Sequence, residues 1–375
     1  MAIEWIINTG YEKEMIPKLH AALRAQRYQF APVRVVEIPK PTGGTRPLGI
    51  ATAEDRVVQT AMQLVLEPIF EADFHDCSYG YRPKRDAKQA SMASREDLYN
   101  RAWGVVEIDF QAYCTSIPHR KLMTLITRRM ADGSLLKLSK QTLTVGAYVK
   151  GQVVPTQIGV PQGSPISPLY SNISLNLVDQ LWHSRGYPAK RGAPLHRYAD
   201  EAILVCRRSP QPVLAAFEGI AKRMDLTINR DKTRVTRVTD GFDFIGFNFV
   251  KRQSPRSGKQ AISMFPAKSA QQKIRNRLKY VTSRRAPISP KACVARVNSM
   301  GTGGANYFRH TNASPAFRGL QRFVNIRCRR YLTQRSTGRG FGWKRFPNSK
   351  LYAMGLVSIG SGLLEDMAKP AHGVR

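Results

Sequence analysis

Leu195-His-Arg-Tyr-Ala-Asp-Glu-Ala-Ile-Leu-Val205 is an apolar stretch interrupted by one acidic pair, Asp200-Glu201. Small and acidic residues favour a chain reversal, and the apolar residues on either side favour extended backbone. The stretch therefore predicts two strands joined by a turn that carries carboxylates. Upstream, Val105-Val-Glu-Ile-Asp109 reads as another short apolar strand, ending on an aspartate. If the two segments share a sheet, three carboxylates converge at one edge. Such a cluster pushes its members toward protonation unless cations neutralise it. On spacing alone, a turn-capping aspartate and a solvated Asp-Glu pair fit equally well.

Working outward, Glu12 to Tyr28 has helical apolar spacing. Val33 to Ile50 reads as a β-hairpin about Pro41-Thr-Gly-Gly44, with basic residues at Lys40 and Arg46. Asp55 to Phe70 is an amphipathic helix, Lys121 to Arg129 is helical, and Gly159-Val-Pro-Gln-Gly-Ser-Pro165 opens a helix running to Trp182. Pro212 to Met224 is predicted helical, and Thr233 to Val238 with Phe242 to Val250 as strands. The sum is α+β, with an antiparallel sheet and helices behind it. The basic, Gly/Ser/Pro-rich stretch from Lys251 to Lys268 reads as a boundary. Beyond it, Ala270 to Arg285, Pro290 to Gly301 and Ala316 to Gln334 read as helices crowded with Lys and Arg and interleaved with aromatic residues.

The 375 residues carry 59 Lys+Arg against 26 Asp+Glu, a formal net charge of +33. A field of that sign attracts a polyanion, so nucleic acid is the expected partner. No apolar run approaches the roughly 20 residues that span a bilayer, and the N-terminus has no signal pattern, so a cytoplasmic protein is expected. Cys77, Cys114, Cys206, Cys293 and Cys328 are scattered and form no Cys-x-x-Cys pair. Neither a disulfide framework nor a zinc module is implied, and the cysteines read as small core residues.

Six segments in order resemble the reverse-transcriptase blocks of group II intron-encoded proteins: Ile38-Pro-Lys-Pro-Thr-Gly-Gly-Thr-Arg-Pro-Leu-Gly-Ile50, Leu66-Glu-Pro-Ile-Phe70, Ser78-Tyr-Gly-Tyr-Arg-Pro83, Gly159-Val-Pro-Gln-Gly-Ser-Pro-Ile-Ser-Pro168, Tyr198-Ala-Asp-Glu201 and Gly241-Phe-Asp-Phe-Ile-Gly-Phe247. Gly303-Gly-Ala-Asn-Tyr-Phe-Arg309 is similar to the maturase, or thumb, domain of the same family. The resemblance implies a right-hand polymerase: fingers over residues 1–100, a palm over 101–250 and a basic, all-helical thumb/maturase domain over 251–375. It implies an RNA-directed DNA polymerase of group II intron type with a role in splicing and retrohoming. The partners implied are an RNA template, a DNA primer, dNTPs and intron RNA. The cofactor implied is a pair of Mg²⁺ ions, with Mn²⁺ as a substitute.

By the same resemblance, Asp109 and Asp200 are the metal-binding aspartates, with Glu201 beside them as the third catalytic carboxylate. The family usually has aspartate there, and glutamate pushes its carboxylate out by one methylene, so weakened polymerisation is expected. Lys40 and Arg46 match the positions that clamp the triphosphate, and Gln162 the one that contacts the sugar. Cys114 stands where relatives carry a bulky aromatic that rejects a ribose 2′-OH, so leakier exclusion of ribonucleotides is expected, unless Tyr113 takes over. Thr115 replaces an acidic residue, with no physical account of the consequence. Lys232, after Asn229, matches a candidate proton donor to pyrophosphate, and a plain turn lysine fits as well. Tyr198, Phe244 and Gly246 match primer-binding positions. Arg309, Arg318, Arg322 and Arg327 lie in the arginine-dense region expected to hold RNA. The chain starts after the family's first fingers blocks and carries no Cys/His endonuclease segment, so independent mobility is not expected. Two other readings stay open, a non-catalytic splicing maturase and a host-domesticated antiphage-defence polymerase.

Overall fold

The structure, a computed structural model, describes residues 10–39, 43–99, 102–149, 151–254, 258–283, 286–334 and 342–359. The chain divides into two compact units, residues 1–236 and 237–375. In the first, the predicted hairpin forms from β1 (Val33–Pro39) and β2 (Thr45–Ile50), antiparallel from Arg34 opposite Ile50 to Pro39 opposite Thr45. Lys40, like Arg284 and Arg285, lies outside the described residues. The apolar run Gly104–Ile108 is β3. A short hairpin without a sequence signature, β4 (Ala147–Val149) and β5 (Gln152–Val154), adds to the edge of β1 in parallel, giving the order β2-β1-β4-β5.

The acidic stretch forms β6 (Leu195–Tyr198) and β7 (Glu201–Cys206), and β8 (Arg234–Arg237) follows. They join β3 in a four-stranded sheet, order β6-β7-β3-β8. Helices supply the rest of this unit's core. Helix Ala53–Glu71 starts where the Thr52 hydroxyl accepts the Asp55 amide, and buries Val58, Met62, Leu66 and Phe70 at three- and four-residue spacing. Each such apolar side chain stabilises the fold by about 1.5–3 kcal/mol. Helix Ser167–Ser184 is buried on most of its faces, from Leu169 and Tyr170 to Trp182, and packs in one cluster with Val106, Ile108, Leu195 and Leu204 of the sheet.

The second unit begins with strands. β9 (Phe242–Phe244) and β10 (Phe247–Gln253) form a tight hairpin, because Ile245 and Gly246 both take left-handed backbone (φ +45° and +82°). β10 pairs in turn with β11 (Gln260–Pro266). Within the stretch read as a boundary, residues 251–253 end β10 and Gln260–Pro266 form β11, and the chain's two compact units divide after Thr236. The apolar alternation of Ile262, Met264 and Pro266 puts one face of β11 inside and overrides the basic composition. Three longer helices follow, Lys268–Val281, Pro290–Phe308 and Ser314–Gln334, around a core that includes Leu278, Val294, Val297, Leu320, Val324 and Leu351. The second of these runs seven residues past Gly301, where the sequence predicted its end. Two of its glycines fit against neighbours, with Cβ positions at Gly301 and Gly304 only 2.9 and 3.0 Å from Ile359 and Ile274, whereas Gly303 has nothing within 4 Å. Among the described residues no helix is long and apolar enough to cross a membrane.

Candidate active site

The register of β3 on β7 decides where the carboxylates go. Ile108 pairs with Ala202, so Asp109, the next residue along β3, stands across from Glu201 at the same end of the sheet. Tyr198 pairs with Glu201, and Ala199-Asp200 form the reversal between them, with Ala199 left-handed (φ +56°). Asp109 is held from its other side. Its carbonyl accepts the Asn229 amide at 2.8 Å, and its own amide donates to the Thr233 hydroxyl at 3.4 Å. The same segment brings Lys232, whose ammonium lies 3.4 Å from the Asp109 carboxylate. That contact shows a cation already drawn to the acidic edge. The acidic residues at that edge offer carboxylate oxygens, which suit hard divalent ions such as Mg²⁺, but Asp109, Asp200 and Glu201 do not bring three ligand atoms within 4.8 Å of one another.

Beneath the acidic turn lies an arrangement that sequence reasoning missed. Arg197, on β6, is 2% exposed and Asp179, on helix Ser167–Ser184, is fully buried. The Arg197 Nε donates to both Asp179 oxygens at 3.0 Å, Nη2 donates to Oδ2 at 2.6 Å, and Nη1 reaches the Asn172 Oδ1 at 3.0 Å and the Ala199 carbonyl at 2.9 Å. Burial works against the guanidinium's charge, and the charge and hydrogen bonds of Asp179 more than restore it. Asn172 also donates to the Gly80 carbonyl at 2.8 Å. The segment around Gly80 runs alongside β6, with the Arg197 amide bonded to the Cys77 carbonyl and the Tyr79 amide to the Arg197 carbonyl. A Cβ on Gly80 would stand 2.3 Å from the Ala199 nitrogen, so only glycine lets the two backbones meet. The available signal was an arginine inside an otherwise extended, half-apolar stretch, where a charge has to be paired.

Around Asp200 stand the predicted nucleotide-pocket residues. Burial, then the charge of Asp200, pushes the Cys114 thiol above its ordinary range; hydrogen bonds from Ser171 and Gln162 and the charge of Arg46 act the other way. Tyr81 is raised first by burial and then by Asp200, Cys114 and Tyr198, with Arg46 opposing. Arg46, Tyr81, Cys114, Gln162 and Tyr198 therefore share one neighbourhood. Tyr81 belongs to a segment quoted above, yet sequence gave it no role; it is 62% exposed and left-handed, which marks a constrained, accessible ring. The Gln162 carbonyl accepts the Gly49 amide at 2.8 Å, tying its turn to the β1–β2 hairpin, and its Oε1 is buried without a hydrogen-bond partner. Gly163 is left-handed (φ +101°) and abuts Leu48.

Tyr113 corrects one expectation. It is 3% exposed, and its hydroxyl donates to the Ser171 carbonyl at 2.8 Å, so the ring is committed to the core and cannot stand in for Cys114. Thr115 closes its own turn by donating to the Ala112 carbonyl at 2.8 Å.

The remaining candidates lie in the second unit. Phe244 is 3% exposed and packs inward, whereas Gly246 sits at the hairpin tip, where the Tyr307 hydroxyl holds the Ile245 carbonyl at 2.9 Å. Arg318 and Arg322 are exposed one turn apart on helix Ser314–Gln334, and Arg309 is exposed after helix Pro290–Phe308. Arg327 differs. Its guanidinium donates to the Thr282 hydroxyl and carbonyl, both at 2.9 Å, and to the Lys279 carbonyl at 3.2 Å, so most of its donors close the end of helix Lys268–Val281.

Comparison with known proteins gives two family matches. The family described as "Reverse transcriptase (RNA-dependent DNA polymerase)" matches residues 38–249, and "Group II intron, maturase-specific domain" matches residues 271–347. Among similar proteins, "Protein YkfC" of Escherichia coli (strain K12) is 34% identical over 69% of this chain and 76% of its own length. "Group II intron-encoded protein LtrA" of Lactococcus lactis subsp. cremoris is 34% identical over 46% of this chain and 29% of its own. The "Putative COX1/OXI3 intron 2 protein" of Saccharomyces cerevisiae is 29% identical over 54% of this chain and 24% of its own. The chain thus spans three quarters of the first and under a third of the intron proteins. A solved structure of telomerase from Candida albicans, in complex with a fragment of telomeric RNA, has a similar fold. Its TM-score is 0.53 at 12% identity, covering 91% of this chain and 65% of that one.

Proposed function

The chain belongs to the reverse transcriptase family, in the branch that carries the group II intron maturase-specific domain, and on that premise we propose that it is a working RNA-directed DNA polymerase. The observation that carries the reading is the strand register that sets Asp109 across from the Asp200-Glu201 reversal. In this reading Asp109 and Asp200 hold two divalent ions, Mg²⁺ with Mn²⁺ as substitute, and Glu201 flanks them. Bound there, such ions acidify a primer 3′-hydroxyl and stabilise the oxygen leaving the α-phosphate. Arg46, with Lys40, neutralises the triphosphate; Gln162 and Cys114 line the sugar, Lys232 offers a proton to the departing pyrophosphate, and Tyr198 supports the primer end. Residues 1–100 serve as fingers, 101–250 as palm and 251–375 as thumb/maturase. The Ile245-Gly246 hairpin tip, with Phe244 anchoring it, bears on the primer backbone. Arg309, Arg318 and Arg322 hold intron RNA, which the protein helps to splice in the cytoplasm.

Primer extension on poly(rA)/oligo(dT) tests this. DNA synthesis is expected with Mg²⁺ and none in chelator, and the Glu201→Asp protein is expected to extend faster than the parent. Absence of synthesis by a folded protein that still binds RNA would favour a splicing maturase without polymerase activity.

The pocket predicts a second result. With a thiol in place of a ring, the parent protein should incorporate rNTPs at more than about a thousandth of the dNTP rate. A steric wall of this kind is worth roughly 10–200-fold in selectivity. Cys114→Phe should therefore cut rNTP incorporation by about that factor while sparing dNTP use. Equal selectivity in the two proteins would remove Cys114 from the sugar site.

A further inference from the structure

Away from the acidic edge, His75, Cys77 and His183 meet at the end of helix Ser167–Ser184. One ligand atom from each lies within 4.8 Å of the others. The two imidazoles stack with centroids 3.5 Å apart and planes 23° from parallel. Imidazole lone pairs lie in the plane of the ring, so one of the stacked rings has to turn before both can reach a single ion.

The surroundings orient His183 for a metal and anchor the turn that carries His75 and Cys77. The His183 Nδ1 donates to the Asp179 carbonyl at 2.8 Å; a carbonyl only accepts, so the hydrogen sits on Nδ1 and Nε2 keeps its lone pair. The His75 Nδ1 accepts the Cys77 amide at 3.2 Å, so the neutral ring carries its hydrogen on Nε2 and Nδ1 must release that amide to bind an ion. That turn is fastened independently. The His75 amide donates to the Asn176 Oδ1 at 3.0 Å, and the Arg82 Nη1 donates to the His75 carbonyl at 2.8 Å. Cys77 is buried, and the two histidines are half-buried, leaving a path for an ion from their side.

We propose that His75, Cys77 and His183 form a three-ligand Zn²⁺ site, separate from the carboxylates at Asp109 and Asp200. Thiolate and imidazole are donors for a borderline-soft ion, not for Mg²⁺, and three of them leave a fourth position for water. Zinc bonds of about 2.0–2.3 Å set tetrahedral donors roughly 3.3–3.8 Å apart, so binding draws the ligands in by about 1 Å. The Cys77 S–H bond breaks, a S–Zn bond forms, and the proton passes to solvent. The ion ties the turn at 75–77 to the last turn of the helix whose Asp179 braces Arg197. A scan for cysteine pairs misses the site, because its ligands come from two distant segments and include one thiol.

The test is titration of the untagged full chain with Co²⁺, then with Zn²⁺. One equivalent of Co²⁺ is expected to raise a thiolate-to-cobalt charge-transfer band that one equivalent of Zn²⁺ abolishes. The band should vanish in Cys77→Ser, and Co²⁺ should bind at least tenfold more weakly to His75→Leu and His183→Phe, two apolar replacements chosen to keep the packing. Zn²⁺ should also raise the melting temperature of the parent and leave that of His183→Phe unmoved. No band from a parent protein shown by circular dichroism to be folded, a band that survives in Cys77→Ser, or an equal Zn²⁺ effect on parent and His183→Phe would each overturn the site.

Discussion

Asp109→Asn is expected to lower primer extension by on the order of 10³-fold, the effect of losing several kcal/mol of charge stabilisation at a metal-assisted phosphoryl transfer. Asparagine keeps the size of the side chain, and both backbone hydrogen bonds at Asp109, to Asn229 and Thr233, are indifferent to the change. The fold should therefore survive, and with one like charge fewer beside Asp200 and Glu201 the melting temperature should stay level or rise. Asp200→Ala should lose activity to the same degree. The reading fails if either protein, with an unaltered melting curve, keeps more than about a tenth of the parent rate, since a residue that costs so little holds no reacting group.

Arg197→Met is expected to be among the most destabilising changes in the first unit, by about 3–5 kcal/mol, because it strands the Asp179 carboxylate in a fully buried position. Asp179→Leu should cost a similar amount for the converse reason. The double replacement, Arg197→Met with Asp179→Leu, should recover much of the loss, since no uncompensated charge is left. Urea melts followed by tryptophan fluorescence would report this, with Trp182 in the same helix as Asp179. Additive losses in the double mutant would show that the pair is not an energetic unit. Activity adds a second readout. The Arg197 Nη1 holds the carbonyl of Ala199, one residue before Asp200, so the refolded double mutant should remain slower than the parent even where it is fully folded.

The parts of this molecule that sequence makes legible are those fixed by local chemistry. The hairpin from Val33 to Ile50 and the reversal at Asp200 are read from apolar runs on either side of turn residues, and the register does the rest. Strand β4 is different. Three residues, Ala147–Val149, carry no pattern of their own and become a strand because the open edge of β1 is there to receive them. Lys251 to Lys268 reads as a boundary by composition, yet alternate residues of Gln260–Pro266 within it are buried, and burial is a property of the partner sheet. The helix Pro290–Phe308 runs through glycines that read as a stop, two of which, Gly301 and Gly304, lie close against Ile359 and Ile274. The site divides the same way. Aspartates at strand ends are visible in one dimension, whereas Tyr81, the Arg197–Asp179 pair and the burial of Tyr113 depend on what lies across the fold.

The backbone contact between the segment around Gly80 and the end of β6 also has a kinetic side. Ser78 and Arg197 bridge in parallel across a long stretch of intervening chain, and the Asp200 turn cannot settle until Gly80 lies against it. Loop closure of that span has to be completed before the contact returns any stabilisation. On a ribosome adding roughly 5–20 residues per second, the β1–β2 hairpin can form from neighbouring residues while the acidic turn is still unsynthesised. The acidic turn is therefore the late-maturing part of its own unit, and a nascent chain stalled before β6 carries a hairpin made of neighbours and no partner strand yet for β3.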